Sequence, residues 1–584
     1  NPLASNGCAG SSPARGTFCF LIFVIMKKHN ILFLIPAVVF ALSSCSSKLG
    51  SLSADNFNVT PNPLESRAGN VEATINGVFP EKYMKKKAVV TVTPELRFGN
   101  GLSAQGQPAT FQGEKVLGND QVISYKIGGN YTMKSNFKYI PEMQKSDLYM
   151  TFDAYVGKKK IDLPAVKVAE GVIATSELYK NTLSGSGAFI APDTFQRVRA
   201  MRQEAQVRFL INQANLRKSE LKNNSVAEFV SLLKKINADK EGLNINNVEV
   251  LAYASPDGGV KFNDKLANKR QNVSVDYAKK QLKNTKVSAD VTGKYTAQDW
   301  DGFQKLVASS NIQDKDVILR VLSMYQDPEQ REQQIRNMSA GFRELADGIL
   351  PELRRSRMII NYETIGRSDD QIQEQYNADA TKLSVDELLY AASLEDNLDK
   401  QESVYKTTAK VYPNDYRAYH NIAAIEFEKG NIDKAKEYLS KAANINGKAA
   451  ETNANMALVA LQQGEVATAE TYMSKADLSG GYEKLIGSVA LAKGDYISAE
   501  RNLSGIDCNT TALAQILNKN YSGATATLNA IKNKDAMTDY LQAVLSARQG
   551  NKNDAATFLK SAIQKDPSLA SYANNDIELS GISK

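Results

Sequence analysis

A chain of 584 residues with 42% apolar and 23% charged side chains has the composition of globular protein, with length for roughly three to five domains at ~150 residues each. The formal charge of +7 falls to +4 once Arg15, Lys27 and Lys28 of the first 44 residues are set aside, too weak a bias to point to nucleic acid as a partner. Four cysteines (Cys8, Cys19, Cys45, Cys508) and two histidines (His29, His420) leave little material for a disulfide framework or for Ser-His or Cys-His catalysis.

Met26 opens a basic pair, Lys27-Lys28, followed by an apolar run from Ile31 to Leu42 and the tetrapeptide Leu42-Ser43-Ser44-Cys45. About a dozen apolar residues are too few for a membrane-spanning helix, which needs ~20. The segment resembles the signal peptide and lipobox of a bacterial lipoprotein. The resemblance implies removal of residues 26–44 and acylation of Cys45. Ser46 in place of an aspartate implies the outer rather than the inner membrane, and without an acidic cluster after Cys45 the body is expected to face the periplasm. Residues 1–25 read as upstream sequence translated before the true start. Residues 45–68, rich in Ser, Asn and Pro, read as a lipid-anchored tether.

From 69 to 178 the pattern has period two. Ala88, Val90 and Val92 alternate with Val89, Thr91 and Thr93, and Leu148, Met150, Phe152, Ala154 and Val156 form a second series. Short alternating runs separated by turns such as Gly128-Gly129 predict an antiparallel β-sandwich with its aromatics in the core. The stretch FPEKYMKKKAVVTVTPEL resembles the β-domain that precedes OmpA-like modules in some Bacteroidota envelope proteins.

Leu183-Ser-Gly-Ser-Gly187 reads as a hinge, and Phe195–Ala205 as a short helix or an extended basic segment. Val207, Phe209 and Ile211 alternate as a strand. Ser225-Val-Ala-Glu228 has the form of a capping box opening a helix with Phe229, Leu232, Leu233 and Ile236 on one face. A strand at Val248–Tyr253 leads through Pro256-Asp-Gly-Gly259 into a helix that sets Leu266, Arg270, Val273 and Tyr277 on one stripe. An arginine on such a stripe is costly unless it is paired. Strands at Val287–Thr292 and Leu353–Tyr362, the latter preceded by arginines, complete the unit. About 55 residues between Gly293 and Leu350 form an insertion in which Trp300, the sole tryptophan, is expected to plug a small core and Arg331–Leu345 to be helical.

This strand–helix–strand–helix–strand order over 195–365, with insertion at about 294–350, resembles the OmpA-like domain, a family known for binding peptidoglycan. Asn263-x-x-Leu266-x-x-x-Arg270 matches its helix motif, with Ala267 where the family usually has Ser; Phe209 and Asn215-Leu216 fit its first strand. The resemblance implies that Arg270 holds a stem-peptide carboxylate through bidentate guanidinium geometry. The family's aspartate falls on Ser255, which cannot pair with an ammonium, although Asp257 lies two residues on. Asn263, Ser255, Asp257 and Arg270 are therefore the candidate ligand-binding residues.

Gly366–Asp379 reads as an acidic linker. From 380 to 584, Gly430, Gly464, Gly494 and Gly550 each stand five residues before an alanine, Ala435, Ala469, Ala499 and Ala555. The first interval is 34 residues, the tetratricopeptide (TPR) period. A weaker unit lies at Tyr521 and Ala524, and an upstream one at Leu398, Tyr405 and Pro413. The segment resembles a TPR array, an α-solenoid whose helix pairs leave a concave face for a protein partner. Tyr419 and His420 lie on a first helix, where packing is the ordinary role of a histidine.

The chain carries no H-E-x-x-H, C-x-x-C, G-x-S-x-G or phosphate-loop signature, so no enzyme activity, cofactor or metal is expected. The leading reading is an outer-membrane lipoprotein acting as an envelope scaffold, touching peptidoglycan through one module and a protein through the other. The alternatives are a subunit of a secretion or fimbrial assembly whose OmpA-like module docks protein, and a glycan-cleaving enzyme built on paired carboxylates.

Overall fold

The computed structural model describes residues 49–99, 101–183, 187–312, 314–337, 343–476 and 480–582. Cys45 and the segment read as a signal peptide lie outside them, as do Cys8 and Cys19.

The first domain is built from β1 (Phe57–Thr60), β2 (Leu64–Arg67), β3 (Asn70–Phe79), β4 (Ala88–Phe98), β5 (Leu102–Gln105), β6 (Ala109–Gly113), β7 (Gln121–Ile123), β8 (Gly129–Lys138), β9 (Ser146–Val156), β10 (Lys159–Ile161) and β11 (Val166–Ile173). The strands expected as an antiparallel sandwich form, among the described residues, one continuous eleven-stranded sheet, because β2 pairs with β3 on one side and with β11 on the other. Most pairings are antiparallel; β2–β11 and β6–β7 are parallel. The sheet curls so that the alternating residues of β3 (Val71, Ala73, Ile75), β4 (Val90, Val92, Leu96) and β9 (Leu148, Met150) meet in one core. The tether expected over 45–68 is already folded from Leu49: Leu49 and Leu52 are buried, and β1 and β2 lie in that span. Its Pro residues mark the turn between two short strands rather than a linker.

A short helix, α1 (Tyr179–Leu183), leaves this domain, and the chain returns as an α+β unit. The basic segment at 195–205 proves to be extended: β12 spans Val198–Arg208, so Phe209 and Ile211 fall beyond its end, Phe209 buried and Ile211 exposed. Helix α2 (Asn224–Ala238) is capped by Asn223, whose side chain accepts from the Val226 N–H; Ser225, expected as the cap, lies inside the first turn and bonds the Gln206 N–H instead. β13 (Leu243–Tyr253), α3 (Val260–Thr285), β14 (Asp290–Thr296) and, after the insertion, β15 (Arg355–Ile365) follow. The sheet order is β12-β15-β13-β14, with β13 and β14 parallel and β15 antiparallel between β12 and β13. Phe229, Leu233 and Ile236 of α2 and Ala278 and Leu282 of α3 pack on Val248, Val250, Met358 and Ile360 of the sheet. The buried stripe of α3 is Leu266, Arg270, Ser274, Ala278 and Leu282; Val273 and Tyr277, expected on it, are half-buried. Small Ser274 and Ala278 let the helix lie close to the sheet, which rotates the bulkier neighbours to its flank.

The insertion is a separate helical lobe of α4 (Trp300–Ser309), α5 (Lys315–Met324), α6 (Pro328–Asn337) and α7 (Leu350–Leu353), with Phe303, Val307, Ile318, Leu322 and Leu353 in its core. Trp300 packs against that core, edge-on to Phe303, and its indole N–H reaches Gln298.

The segment expected as an acidic linker is instead helix α8 (Asp369–Asp379). Ser368 and Gln371 form a capping box, Asp369 and Asp370 sit at the positive helix end, and Ile372 anchors the helix in a core. Helix pairs then stack: α9 (Val385–Ser393) with α10 (Leu398–Val411), α11 (Tyr416–Glu428) with α12 (Ile432–Ile445), α13 (Ala450–Gln462) with α14 (Val466–Met473), α15 (Glu483–Ala492) with α16 (Tyr496–Asn502), α17 (Asn509–Leu517) with α18 (Tyr521–Ala530), and α19 (Ala536–Arg548) with α20 (Lys552–Lys565), closed by α21 (Leu569–Asn575). The repeat residues account for the geometry. Gly430, Gly464, Gly494 and Gly550 adopt φ between 75° and 82° and turn the first helix of a pair into the second. Ala435, Ala469, Ala499 and Ala555 are fully buried, as small residues must be where paired helices cross. In the weaker unit the turn residue is Lys519, at φ 63°, five residues before buried Ala524.

Candidate functional site

Two places concentrate polar side chains that a packed core does not require. The first lies where β13 ends. Pro256 and Gly258 turn the chain, and Asn263, in the first turn of α3, donates its amide to the Ser255 and Gly258 carbonyls at 2.9 and 2.8 Å. Ser255, Asp257, Asn263 and Arg270 thereby line one cavity of about 260 Å³, with Ile211, Phe262 and Arg354 completing its wall.

Arg270 is the largest fully buried side chain of the described residues. Its guanidinium donates to three backbone carbonyls: Nε to Gln213 at 3.0 Å, Nη1 to Tyr253 at 2.9 Å and Nη2 to Leu210 at 3.2 Å. It also lies over the Phe209 ring, 5.0 Å from the centroid. The arginine therefore ties the turn after β12 to the end of β13, which answers the cost of burying it.

Asp257 pairs with Arg354 at 3.0 Å, and the Ser255 hydroxyl donates to the same carboxylate. Burial lowers the Arg270 guanidinium to about 10, the positive charge of Arg354 pushes the same way, and Asp257 opposes both. Two guanidinium groups and one carboxyl group share the cavity, an arrangement that complements an incoming anion. The inserted lobe reaches the same turn: Arg336 donates to the Asp257 carbonyl, and Trp300 and Ile335 pack beside Pro256.

The second place is the inner face of the array, lined by the first helix of successive pairs. Residues 187–195 of the same chain run across it. Asn455 accepts from the Phe189 N–H at 2.9 Å and donates to its carbonyl at 2.8 Å. Asn421 treats Ala191 identically, at 2.8 and 3.2 Å. The two asparagines stand 34 residues apart, one repeat. His420 Nε2 donates to the Phe189 carbonyl at 2.8 Å, which leaves Nδ1 to accept from Thr452 Oγ1 at 3.1 Å. Complete burial pushes the imidazole down to about 4, so it is neutral. Arg417 closes the far end, donating to the Asp193 carbonyl and Thr194 Oγ1 while paired with Asp386 and Asp415. Upstream, Tyr179 and Leu183 of α1 are buried in the array's own core. The face expected to hold a separate protein thus holds residues of the chain's own linker.

No known protein-family profile matches the chain, and no curated protein matches it. Similar solved structures include a tetratricopeptide repeat protein from Parabacteroides merdae, 14% identical, covering 43% of this chain and 98% of its own, with a TM-score of 0.28. Another is Pseudomonas aeruginosa pilF, also 14% identical, covering 36% and 98% with a TM-score of 0.25. A third, the TPR protein YrrB, described as having an unusual peptide-binding site, is 14% identical and covers 35% and 98% with a TM-score of 0.18. Likenesses at this level assign no family and no function; the TPR-type character of the array rests on its own helix pairs, glycines and alanines.

Among the described residues, no group of three His, Cys, Asp or Glu side chains is placed to hold a metal ion, and no helix is long and apolar enough to cross a membrane. The four ligand-binding candidates do converge on one cavity. Arg354 was missed, although the run Leu353-Arg-Arg-Ser-Arg357 announced arginines at the start of β15. Asn421 and Asn455 were missed too; their one-repeat spacing was the available signal.

Proposed function

We propose that the protein is a non-enzymatic scaffold of the bacterial cell envelope, anchored in the outer membrane by lipid on Cys45 and facing the periplasm. In this reading the α+β unit is an OmpA-like module that takes a carboxylate-bearing peptidoglycan stem peptide, and the array recruits a protein. The observation that carries the glycan part is the cavity at the end of β13, where Arg270 and Arg354 outnumber the single carboxylate of Asp257. Arg270 presents charge from a fixed position, while Arg354 can exchange Asp257 for an incoming carboxylate. Ser255 leaves the ligand's ammonium without a dedicated partner.

Co-sedimentation with purified sacculi tests this reading. The wild type pellets, and Arg354→Ala pellets at least fivefold less while remaining folded. A wild type that stays in the supernatant removes peptidoglycan from the proposal.

A second reading, in which the module docks protein within a secretion or fimbrial assembly, is favoured by the inserted lobe, whose Arg336 and Trp300 crowd the Ser255–Asp257 turn. Affinity capture from solubilised membranes separates the two. A stoichiometric partner lost on deleting the lobe, with no sacculus pelleting, supports docking; sacculus pelleting with no such partner rejects it.

A further inference from the structure

The floor under residues 187–195 recognises chiefly main chain. Asn455 and Asn421 each take the N–H and the carbonyl of one residue, Phe189 and then Ala191, two positions apart as an extended strand requires. Between them Ile190 points away and is 50% exposed. Side-chain demands are few: Phe189 packs tilted against Tyr482, with ring centroids 4.8 Å apart, and the small Ala191 side chain is buried. Pro192 and Asp193 follow, their carbonyls within reach of Arg417.

Such a floor accepts other sequences that keep an aromatic and a small residue two positions apart. Asn421, Asn455 and His420 touch the segment directly, so its departure opens these groups to water, which can take over the hydrogen bonds it made. The anchors on either side are separate from it. Leu183 is buried in the array core upstream, and Phe195 packs on Tyr390 downstream.

We infer that the inner face of the array is a binding site for an extended segment of a partner protein with the order aromatic, any residue, small residue. Residues 187–195 are its resting occupant, which such a segment displaces. This rests on the proposal that the array recruits a protein and gives that recruitment its ligand chemistry and its gate. Because the resting occupant is tethered, its effective concentration reaches the millimolar range, and a free competitor binds more weakly by the ratio of closed to open face.

Fluorescence anisotropy of a labelled peptide, GAFIAPDTF, titrated with the full-length protein tests the proposal. Phe189→Ser with Ala191→Pro unseats the resting segment by removing its ring and one N–H. That variant binds the peptide at least tenfold more tightly than the wild type. Adding Asn421→Ala and Asn455→Ala abolishes the gain, and a peptide with proline in place of its second alanine does not bind. Hydrogen exchange on the wild type is the check that needs no variant: the Phe189 and Ala191 amides exchange through local opening, faster than Leu439 and Leu541 of the array core. Absence of saturable binding to a folded double variant, or exchange of the two amides only through global unfolding, overturns the inference. Sacculus pelleting is untouched by these changes, so failure here is distinct from failure of the glycan reading.

Discussion

Replacing Arg270 removes one donor group from three carbonyls at once. Charge-assisted hydrogen bonds contribute about 1.5–3 kcal/mol each, and a buried acceptor left without a donor costs about 1–3 kcal/mol. The carbonyls of Leu210 and Gln213 belong to an exposed turn that water can reach, so they recover part of this, while that of Tyr253 lies at the end of the central strand β13. Arg270→Ala should therefore cost about 3–5 kcal/mol, a large share of the 5–15 kcal/mol that holds a typical domain. Arg270→Lys should recover little of it, because one ammonium cannot reach three divergent carbonyls in the way a planar fork does. Trp300 is the only tryptophan and packs in the lobe inserted into the same unit, so urea unfolding followed by its emission reports this domain. A loss below about 1 kcal/mol for Arg270→Ala would refute the reasoning and return the residue to a ligand role alone. The expected loss also makes Arg270→Ala a poor control for sacculus binding, since it removes the fold with the site; Arg354→Ala is the informative variant.

Two further outcomes follow from the array. His420 has its folded value depressed to about 4 against an ordinary 6.5, so between these values the unfolded state binds more protons. Stability from this group is complete above about pH 6.5 and falls by about 3 kcal/mol as pH drops to 4; chemical denaturation at several pH values should show that slope, and His420→Asn should flatten it. Lys519 holds a left-handed turn that glycine fills in four other units, so Lys519→Gly should stabilise the array by about 0.5–1 kcal/mol, read as a rise in its unfolding midpoint. An unchanged or lowered midpoint would mean that the Lys519 side chain makes a compensating contact.

Local pattern carried much of the architecture. Period two over β4 and β9 and glycines five residues ahead of alanines each follow from steric rules that act within a turn or two of chain, and they appear where the residues place them. The acidic stretch at 366–379 shows the limit of composition: a capping box and one buried isoleucine outweighed its polar appearance and made it α8.

What the residues alone could determine about this protein is therefore its modules and its turns, while the grouping of Ser255, Asp257, Asn263 and Arg270 beside one strand end came from resemblance to a known domain. Only the tertiary structure decided what those groups do. Arg270 meets carbonyls 57 and 60 positions away, Asp257 meets Arg354 across 97, and Phe189 meets Asn455 across 266. Hydrogen bonds and ion pairs are directional and short-ranged, so partners so distant in the chain exist only once the sheet has closed and the helix pairs have stacked.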